Sequence, residues 1–423
     1  MKTVLVAGVQ SGCGKTSITL ALLQYLRKAG KDVGAFKTGP DFLDPLWHQA
    51  MTHKPSYNLD SHMMGVEACR HTIYANQSEF VVIEGVMGLF DGREGVGGPG
   101  SGAHLAMELA IPVCLVVDAK GMSGSIVPLV KGFIQQANNQ GFCITAIIAN
   151  RVGSYRHADL LSGFLTQYGL PPLVAWLEKD APVIAERHLG LTRPGETELP
   201  NFQTAFHVDE KQLLASFGQL EFFKPEQVEQ KKLLSGLTIG IAEDDVCCFI
   251  YKANKDWLLE QGATLKTFSP LAGEDVPPAD ALWLPGGYPE LYAQQLALSK
   301  TWKSLNAFIE SGKPVLAECG GAMLLGEQLI DKQGEAWPMA GALPFTSRMQ
   351  HKLASLGYRQ STDGVKGHEF HHSIRESTED FDVAFDTDRG DKGLRYKNLR
   401  ASYIHWYFAS SPNTVAQWFR QAA

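Results

Sequence analysis

The chain has 423 residues, of which 44% are hydrophobic and 20% charged, and its formal net charge at pH 7 is −7. This composition is typical of a globular protein of two or three domains and excludes a basic nucleic-acid-binding protein. The seven cysteines lack zinc-like spacing, and no apolar run approaches the about 20 residues of a membrane span. We therefore expect a cytoplasmic protein that binds no nucleic acid and no membrane.

The first motif is GVQSGCGKT at 8–16, which lies between an apolar run and a segment of helical pattern. Glycines 12 and 14 allow backbone N–H groups to turn toward a polyphosphate, Lys15 reaches the outer phosphates and the Thr16 hydroxyl ligates Mg²⁺. Val9 stands where such loops usually begin with glycine, so the loop is a shifted variant. The predicted ATP-binding residues here are Gly12, Gly14, Lys15, Thr16 and Ser17.

Short apolar runs then recur at 33–36, 80–83, 113–117 and 145–149, separated by helix-length segments. This alternation predicts a parallel sheet covered by helices, which binds ligands at the carboxyl ends of its strands. Acidic residues follow two of these runs, and we predict that Asp41 and Glu84 hold Mg²⁺ together with Thr16. The alternative for each acid is a loop or helix cap. Asn150 follows a later run and is predicted to contact adenine.

The alternation fades over 191–235, which is rich in proline and polar residues, and restarts at about 237. We therefore predict a P-loop domain at 1–190, a connector at 191–235 and a second α/β domain at 236–423. In the second domain, VLAECGGAMLL at 315–325 places a cysteine on a tight turn between a strand and a helix. We expect the Cys319 sulfur to be exposed, with its pKa lowered by helix N–H groups.

A thiol nucleophile needs a base, and His405 in the late run ASYIHWYF at 401–408 is the candidate. The alternative is a histidine that only packs within a sheet. The backbone N–H groups of Gly287, in a Gly-Gly turn, and of Gly320 are predicted to stabilise an oxyanion.

Together these motifs resemble the cobyrinic acid a,c-diamide synthases, a family of ATP-dependent glutamine amidotransferases of corrinoid biosynthesis. The first half resembles a dethiobiotin-synthetase-type P-loop domain through the loop at 8–16, GPD at 39–41 and EGVMGLFDG at 84–92. The second half resembles a triad-type class I glutamine amidotransferase domain through PGGYPE at 285–290, ECGG at 318–321, GHEFH at 367–371 and SYIH at 402–405. The likeness covers nearly the whole chain.

The resemblance implies that ATP, L-glutamine and cobyrinic acid are the ligands, that Mg²⁺ accompanies ATP and that the reaction passes through acyl phosphates. It implies that Cys319 and His405 release ammonia, and that Asp44 and Asp91 orient the substrate or deprotonate ammonia. A homodimer is the assembly we expect. Tyr407 stands where many triad-type enzymes carry the glutamate that orients the histidine, so the third member of the triad stays open.

Three other interpretations remain at this stage. The same chemistry fits hydrogenobyrinic acid or nickel sirohydrochlorin, because the motifs at the ATP and glutamine sites do not contact the macrocycle. A P-loop partition ATPase carries a second lysine early in its loop, where this chain has Gln10. The carboxylation catalysed by dethiobiotin synthetase would not need Cys319.

Overall fold

A computed structural model describes residues 1–187, 190–221 and 232–420, with backbone only at 186 and 187. The chain divides into two compact units, Met1–Glu226 and Gln227–Ala423. Part of the predicted connector, residues 222–231, lies outside the described residues. In the portion of the chain that is described, no helix has the length and apolar character needed to cross a membrane.

The first unit alternates strands and helices along most of its length. Its strands are β1 (Lys2–Gly8), β2 (Val33–Thr38), β3 (Tyr57–Leu59), β4 (Phe80–Gly88), β5 (Val113–Asp118), β6 (Ile144–Val152), β7 (Leu173–Glu178), β8 (Glu186–Arg187), β9 (Gly190–Leu191), β10 (Phe206–Val208) and β11 (Gly218–Gln219). Its helices are α1 (Lys15–Lys28), α2 (Asp44–Thr52), α3 (Val66–Ala75), α4 (Gly102–Leu109), α5 (Ile126–Asn139), α6 (Tyr155–Gln167) and α7 (Glu210–Ser216).

Among the described residues, the main sheet of this unit has the order β10-β7-β6-β5-β1-β4-β2-β3, and β11 pairs with β1. The pairings among β1 to β7 are parallel. Successive residues of β1 enter different cores: Leu5 and Ala7 pack in one, Val4 and Val6 in the other. A strand buried on both faces reads as a continuous apolar run, which is why the sequence pattern predicted this α/β class. The structure confirms it.

Residues 191–221 of the predicted connector contribute to the first unit, whereas residues 232–235 belong to the second. Strand β10 pairs antiparallel with β7, and β11 pairs antiparallel with β1. Between them, α7 begins after Asp209, whose side chain accepts a hydrogen bond from the backbone N–H of Gln212. Strands of three and two residues carry too few positions for a periodic pattern, so this segment looked irregular in the sequence.

The second unit is a mixed α/β structure. Its strands are β12 (Thr238–Ala242), β13 (Thr264–Phe268), β14 (Ala281–Leu284), β15 (Val315–Glu318), β16 (Gln328–Ile330), β17 (Ala336–Pro338), β18 (Phe345–Met349), β19 (Ser355–Gln360), β20 (Lys366–His371), β21 (Ser373–Ser377), β22 (Leu394–Tyr396), β23 (Leu399–Ser402) and β24 (Ile404–Tyr407). Its helices are α8 (Lys252–Glu260), α9 (Ala293–Leu296), α10 (Thr301–Glu310), α11 (Gly320–Met323) and α12 (Pro412–Trp418).

Within the described residues of this unit, one sheet has the order β13-β12-β14-β15-β23-β22, and a separate sheet has the order β19-β20-β24. The late run at 401–408 therefore divides between β23 and β24, which belong to two different sheets. At the break, the backbone N–H of Tyr403 donates to Asp391 (2.8 Å) and that of Ile404 donates to the Ser402 hydroxyl (3.2 Å). Side-chain acceptors thus replace the sheet ladder where the chain changes direction.

Candidate active sites

The phosphate loop connects β1 to α1 in the first unit. Gly12 and Gly14 have φ values of 73° and 89°, in the left-handed region that glycine adopts without steric cost. A Cβ on Gly8 would lie 2.3 Å from the Cys13 sulfur, so the early glycine of this shifted loop makes room for Cys13. Lys15 Nζ lies 3.4 Å from the Gln10 carbonyl, and burial lowers the pKa of Lys15. Ser17 follows in the first turn of α1.

Asn150, near the carboxyl end of β6, is hydrogen-bonded to this loop. Its Nδ2 donates to the Cys13 carbonyl (3.0 Å), and its Oδ1 accepts from the N–H of Arg151 (2.9 Å). A Cβ on Gly14 would lie 1.9 Å from Asn150 Nδ2, so only glycine allows this approach. The side chain of Asn150, which was predicted to contact adenine, therefore holds the phosphate loop in place.

Arg151 was not singled out by the sequence patterns, yet it joins the same end of the sheet to the loop. Its Nη2 donates to the Gly12 carbonyl (3.0 Å), and its guanidinium makes two contacts with Asp118, at 3.0 and 2.8 Å. A cavity of about 560 Å³ opens beside it. The cavity is lined by Lys120, Gly121, Met122, Arg151, Gly153, His157, Lys179 and Asp180. A space of this size next to a phosphate loop can hold a nucleoside.

A second cluster lies on the other side of the loop, around Thr16. The Thr16 hydroxyl donates to Glu84 Oε1 (2.6 Å) and lies 3.5 Å from Asp44 Oδ2. Lys37 Nζ lies 2.5 Å from Asp44 Oδ2 and 2.8 Å from Glu84 Oε1. The structure thus brings together a hydroxyl, two carboxylates and an ammonium group, which come from the first turns of α1 and α2 and from strands β4 and β2.

The electrostatics of this cluster follow from its burial. Burial raises the pKa of Asp44, and the neighbouring carboxylates Asp41 and Glu84 raise it further. Burial alone would also raise the pKa of Glu84, but Lys37 and His48 outweigh it and hold that pKa well below the usual range. Burial would lower the pKa of Lys37, whereas Asp44 and Glu84 raise it. Lys37 is therefore fully charged and neutralises the acids around it.

The predicted magnesium ligands are not arranged as the sequence suggested. Asp41 Oδ1 accepts the backbone N–H groups of Leu43 and Asp44, both at 2.9 Å, so it caps the start of α2. Asp44 takes the place beside Thr16 and Glu84. Hard oxygen atoms of this kind suit Mg²⁺, which also takes phosphate oxygens and water. The donor set of Thr16, Asp44 and Glu84 fits that ion.

Asp91 lies in the loop after β4, where its side chain is exposed. Its Oδ2 accepts the N–H of Gly88 at 2.8 Å, which fixes the turn between the two residues. Among the described residues, Asp91 makes no hydrogen bond or ion pair with the Thr16 cluster.

In the second unit, Cys319 stands on the turn between β15 and α11. Its φ is 45° and its ψ is −111°, a strained conformation for a residue with a side chain. A Cβ on Gly321 would lie 2.2 Å from the Leu284 carbonyl, and one on Gly320 would lie 2.8 Å from the Gly287 nitrogen. The two glycines after the cysteine are therefore required for the chain to turn against β14, as an elbow for a nucleophile requires.

His405 lies on β24, and its side chain lies close to Cys319. A Cβ built on Gly286 would lie 2.2 Å from His405 Cε1 and 3.2 Å from Cys319 Cβ, so the two side chains meet over this glycine. Phe249 packs at 6.0 Å from the His405 ring and at 4.8 Å from the ring of Tyr288. The structure thus brings together the predicted nucleophile, which follows β15, and the predicted base on β24, and these two strands belong to different sheets.

The expectation of an exposed, acidified thiol was wrong. Cys319 is only 3% exposed, and burial raises its pKa, although the N–H of Gly320 acts in the opposite direction. Burial also lowers the pKa of His405 to about 3, with smaller contributions from His368 and His371. The resting pair is therefore a neutral thiol beside a neutral imidazole, because an apolar enclosure disfavours both charged forms.

The predicted oxyanion donors are close to each other. Gly320 lies against Gly287, since a Cβ on Gly320 would be 2.8 Å from the Gly287 nitrogen. Gly287 is held in turn by the segment 246–248, since a Cβ there would lie 1.8 Å from the Val246 carbonyl. The N–H of Tyr288 donates to that carbonyl at 2.9 Å. Both turns are thus fixed before any substrate binds.

Four polar residues of the two sites escaped prediction as site residues: Lys37, His48, Arg151 and Glu318. Lys37 had a usable signal, since it directly follows a predicted strand, whereas His48 lies on a helix four residues after Asp44. The GHEFH segment also has a defined place: Glu369 Oε1 lies 2.9 Å from His371 Nε2, and His371 stacks on Tyr403 at 4.0 Å.

Family models match both halves of the chain. Residues 4–187 match the CobQ/CobB/MinD/ParA nucleotide binding domain, and residues 238–413 match the CobB/CobQ-like glutamine amidotransferase domain. These two matches cover separately the two units that carry the two sites.

Full-length relatives agree with these matches. The chain is 37% identical to a cobyrinate a,c-diamide synthase of Priestia megaterium, over 99% of this chain and 97% of the relative. It is 36% identical to that of Herminiimonas arsenicoxydans, over 99% and 96%, and 37% identical to that of Listeria monocytogenes, over 96% of each. The chain therefore belongs to the cobyrinate a,c-diamide synthase family of glutamine-dependent amido-ligases.

Proposed function

We propose that this enzyme converts the a and c carboxylates of cobyrinic acid to primary amides in cobalamin biosynthesis, using ATP and glutamine. The observation that carries the proposal is the presence of two separate reaction centres in one chain that is similar over its full length to synthases of this name. One centre is the phosphate loop with the Thr16 cluster. The other is the pair Cys319 and His405.

The second unit supplies ammonia. Cys319 Sγ attacks the side-chain carbonyl carbon of glutamine while His405 accepts the thiol proton. The N–H groups of Gly287 and Gly320 stabilise the oxyanion that forms. The carbon–nitrogen bond then breaks, His405 returns the proton to the leaving nitrogen, and ammonia departs. Water hydrolyses the remaining thioester to glutamate and regenerates the thiol.

The burial of Cys319 and His405 protects the thiol between turnovers. A thiol with a raised pKa next to an imidazole with a lowered pKa holds its proton until a substrate carbonyl is in place. Bound glutamine provides the oxyanion whose negative charge the imidazolium then balances. We infer that the thiol is kept unreactive toward solvent oxidants between turnovers, since the thiolate is the reactive form.

The first unit activates the carboxylate. A carboxylate oxygen of the substrate attacks the γ-phosphorus of ATP, ADP leaves, and the product is an acyl phosphate. Ammonia attacks the acyl carbon and phosphate leaves, which forms the amide. Lys15 and Lys37 offset the charge on the phosphoryl and carboxylate oxygens. Mg²⁺ would be held by Thr16, Asp44 and Glu84 and would neutralise phosphate charge.

Asp44 and Asp91 are the acids proposed for the steps at the acyl carbon. The attacking nitrogen must lose a proton. The Oδ2 atom of Asp44 faces Thr16 in the magnesium site, so we propose that its other oxygen, Oδ1, accepts this proton, and the pKa of Asp44, which burial raises, favours the transfer. Asp91, exposed after β4, is proposed to orient the substrate. Asn150 contributes its second Nδ2 hydrogen to the adenine edge, and the cavity beside Arg151 takes the nucleoside.

The remaining parts of the proposal concern the cell and the assembly. All seven cysteines are free thiols, which suits the reducing cytoplasm. A homodimer is proposed, and sedimentation equilibrium measures it.

Mass spectrometry of the products tests the reaction. The enzyme is incubated with Mg·ATP and glutamine and with cobyrinic acid, hydrogenobyrinic acid or nickel sirohydrochlorin in parallel. Two amidations of cobyrinic acid, with one ADP per amide, are expected. Amidation of another tetrapyrrole instead would reassign the substrate, and no amidation of any of them would remove the tetrapyrrole assignment.

The variant Cys319→Ala separates the two centres. It should lose amidation driven by glutamine and keep amidation driven by added ammonium salt, because the acyl phosphate forms in the other unit. Loss of both activities in a folded variant would contradict the role given to Cys319.

A further inference from the structure

Glu318, the residue before the nucleophile, is a buried acid that the mechanism above does not use. It ends β15 and is 2% exposed. Its Oε1 accepts the backbone N–H of Trp406 at 2.8 Å, and its Oε2 accepts the indole N–H of Trp283 at 2.9 Å. Both carboxylate oxygens are therefore hydrogen-bonded to donors on other strands.

These two bonds join the elements that carry the catalytic pair. Trp406 follows His405 on β24, and Glu318 precedes Cys319 at the end of β15. The two strands belong to different sheets, so no ladder of backbone hydrogen bonds sets the distance between them. The bond from Trp406 to Glu318 connects the strand of the base to the strand of the nucleophile, one residue away from each.

Glu318 reaches this position from the face of the sheet opposite to the thiol. Cys319 packs with Ala317 and Leu284 in one core of the unit. Trp283 and Trp406, the partners of Glu318, pack with Leu316 in the other core. The carboxyl group therefore lies behind the reacting atoms and does not line the glutamine pocket.

We propose that Glu318 is a positioning residue that fixes His405 against Cys319 through the Trp406 backbone, in a site whose usual orienting position holds Tyr407. This inference rests on the proposed hydrolysis of glutamine by Cys319. Its chemical requirement is specific. Trp406 N–H and Trp283 N–H are both donors, so the side chain at 318 must accept at both of its terminal atoms. Burial raises the pKa of Glu318 to about 8, and the carboxyl group meets this requirement in either protonation state, because a hydroxyl oxygen also accepts hydrogen bonds whereas an amide nitrogen does not.

The substitution Glu318→Gln keeps the shape and removes one acceptor. Its amide NH₂ would face either Trp406 N–H or Trp283 N–H, and two donors repel. We expect kcat for glutamine hydrolysis to fall about 100-fold, as for a misplacement near 1 Å, with KM for glutamine unchanged.

The second substitution, Trp283→Phe, removes the indole donor. In the double variant E318Q/W283F, the amide oxygen is free to accept from Trp406, so most of the lost kcat should return.

The experiment measures glutamate release and ammonia-driven amidation by the full-length wild type, C319A, E318Q, W283F and the double variant, with Mg·ATP and cobyrinic acid present. W283F alone should lose less than E318Q, since it keeps the Trp406 bond. The positioning role would be overturned if E318Q kept the wild-type kcat for glutamine hydrolysis. It would also be overturned if kcat in the double variant were no higher than in E318Q. A rise in KM equal to the fall in kcat would also overturn it. Absence of glutamate release in the wild type would instead overturn the proposed function, and this inference with it.

Discussion

The Nε2 atom of His48 lies 2.8 Å from Oε2 of Glu84, and the opposite ring nitrogen lies 3.1 Å from the Ser56 hydroxyl. All three side chains are buried. Because an ionised carboxylate only accepts hydrogen bonds, Nε2–H donates to Glu84. The other oxygen of Glu84 is thereby left to face Thr16 and Lys37. The histidine thus decides which oxygen of Glu84 is offered to the proposed magnesium ion.

Replacing His48 with alanine should therefore weaken magnesium binding rather than stop the glutamine chemistry. We expect the Mg²⁺ concentration for half-maximal ammonia-driven amidation to rise about 10- to 100-fold, the usual effect of losing a group that orients a metal ligand. Ser56→Ala is the matched control, because it removes only the outer hydrogen bond, and it should shift the Mg²⁺ requirement less. An unchanged Mg²⁺ requirement in His48→Ala would refute this role.

The two glycines of the phosphate loop should respond differently to alanine. Gly12→Ala meets no atom within 4 Å, so its cost is the strain of φ 73°, about 1–3 kcal/mol. Gly14→Ala carries similar strain and also places a methyl group 1.9 Å from Asn150 Nδ2. We expect ATP affinity, measured by calorimetry, to fall further in G14A than in G12A. Adding Asn150→Ala to G14A should recover part of the difference. Equal losses in G12A and G14A would show that Asn150 does not brace the loop.

Much of the framework could be predicted because the strands are short, apolar and buried on both faces. The apolar runs predicted at 33–36 and 113–117 lie within β2 (Val33–Thr38) and β5 (Val113–Asp118). The Cys319 elbow was predictable as well, since two glycines after a strand and a reactive side chain restrict the backbone to few conformations.

The choice between Asp41 and Asp44 was beyond the sequence, because both follow the same strand. It depends on where α2 begins: Asp41 lies just before the helix and caps it, whereas Asp44 is its first residue and faces Thr16. The burial of the Cys319–His405 pair was equally hidden, since Phe249, which packs against His405, and the core residues that pack with Cys319 come from distant segments. A local pattern carries no information about such contacts.

Gly286 should tolerate no side chain. A methyl group there would lie 2.2 Å from His405 Cε1 and 3.2 Å from Cys319 Cβ, which separates the two catalytic side chains. We expect Gly286→Ala to abolish glutamate release and to retain ammonia-driven amidation. Gly334→Ala, in the same unit, meets no atom within 4 Å and serves as the control for an added methyl group without a clash. Its φ of 87° makes it the more strained of the two backbones, so retained glutamate release in this variant would show that the clash, and not strain, is decisive. Retained glutamate release in G286A would mean that His405 and Cys319 do not meet as described.

The buried acid Glu318 should make the second unit less stable as the pH rises from 6.5 to 8. Its pKa is 4.5 in the reference state and about 8 when buried, so the folded chain keeps a proton that the unfolded chain releases. The stabilisation is complete below the unfolded pKa and is lost as the pH rises through the folded one. The lowered pKa values of His368 and His405, about 4 and about 3, act in the opposite direction but only below pH 6.5.

Hydrogen exchange of β24 peptides, corrected for intrinsic rates, should therefore show an opening free energy that falls by at most about 1.4 kcal/mol per pH unit between pH 6.5 and 8. In Glu318→Gln this slope should vanish, because no proton is exchanged at position 318, and a slope that persists in the variant would assign the effect to another group.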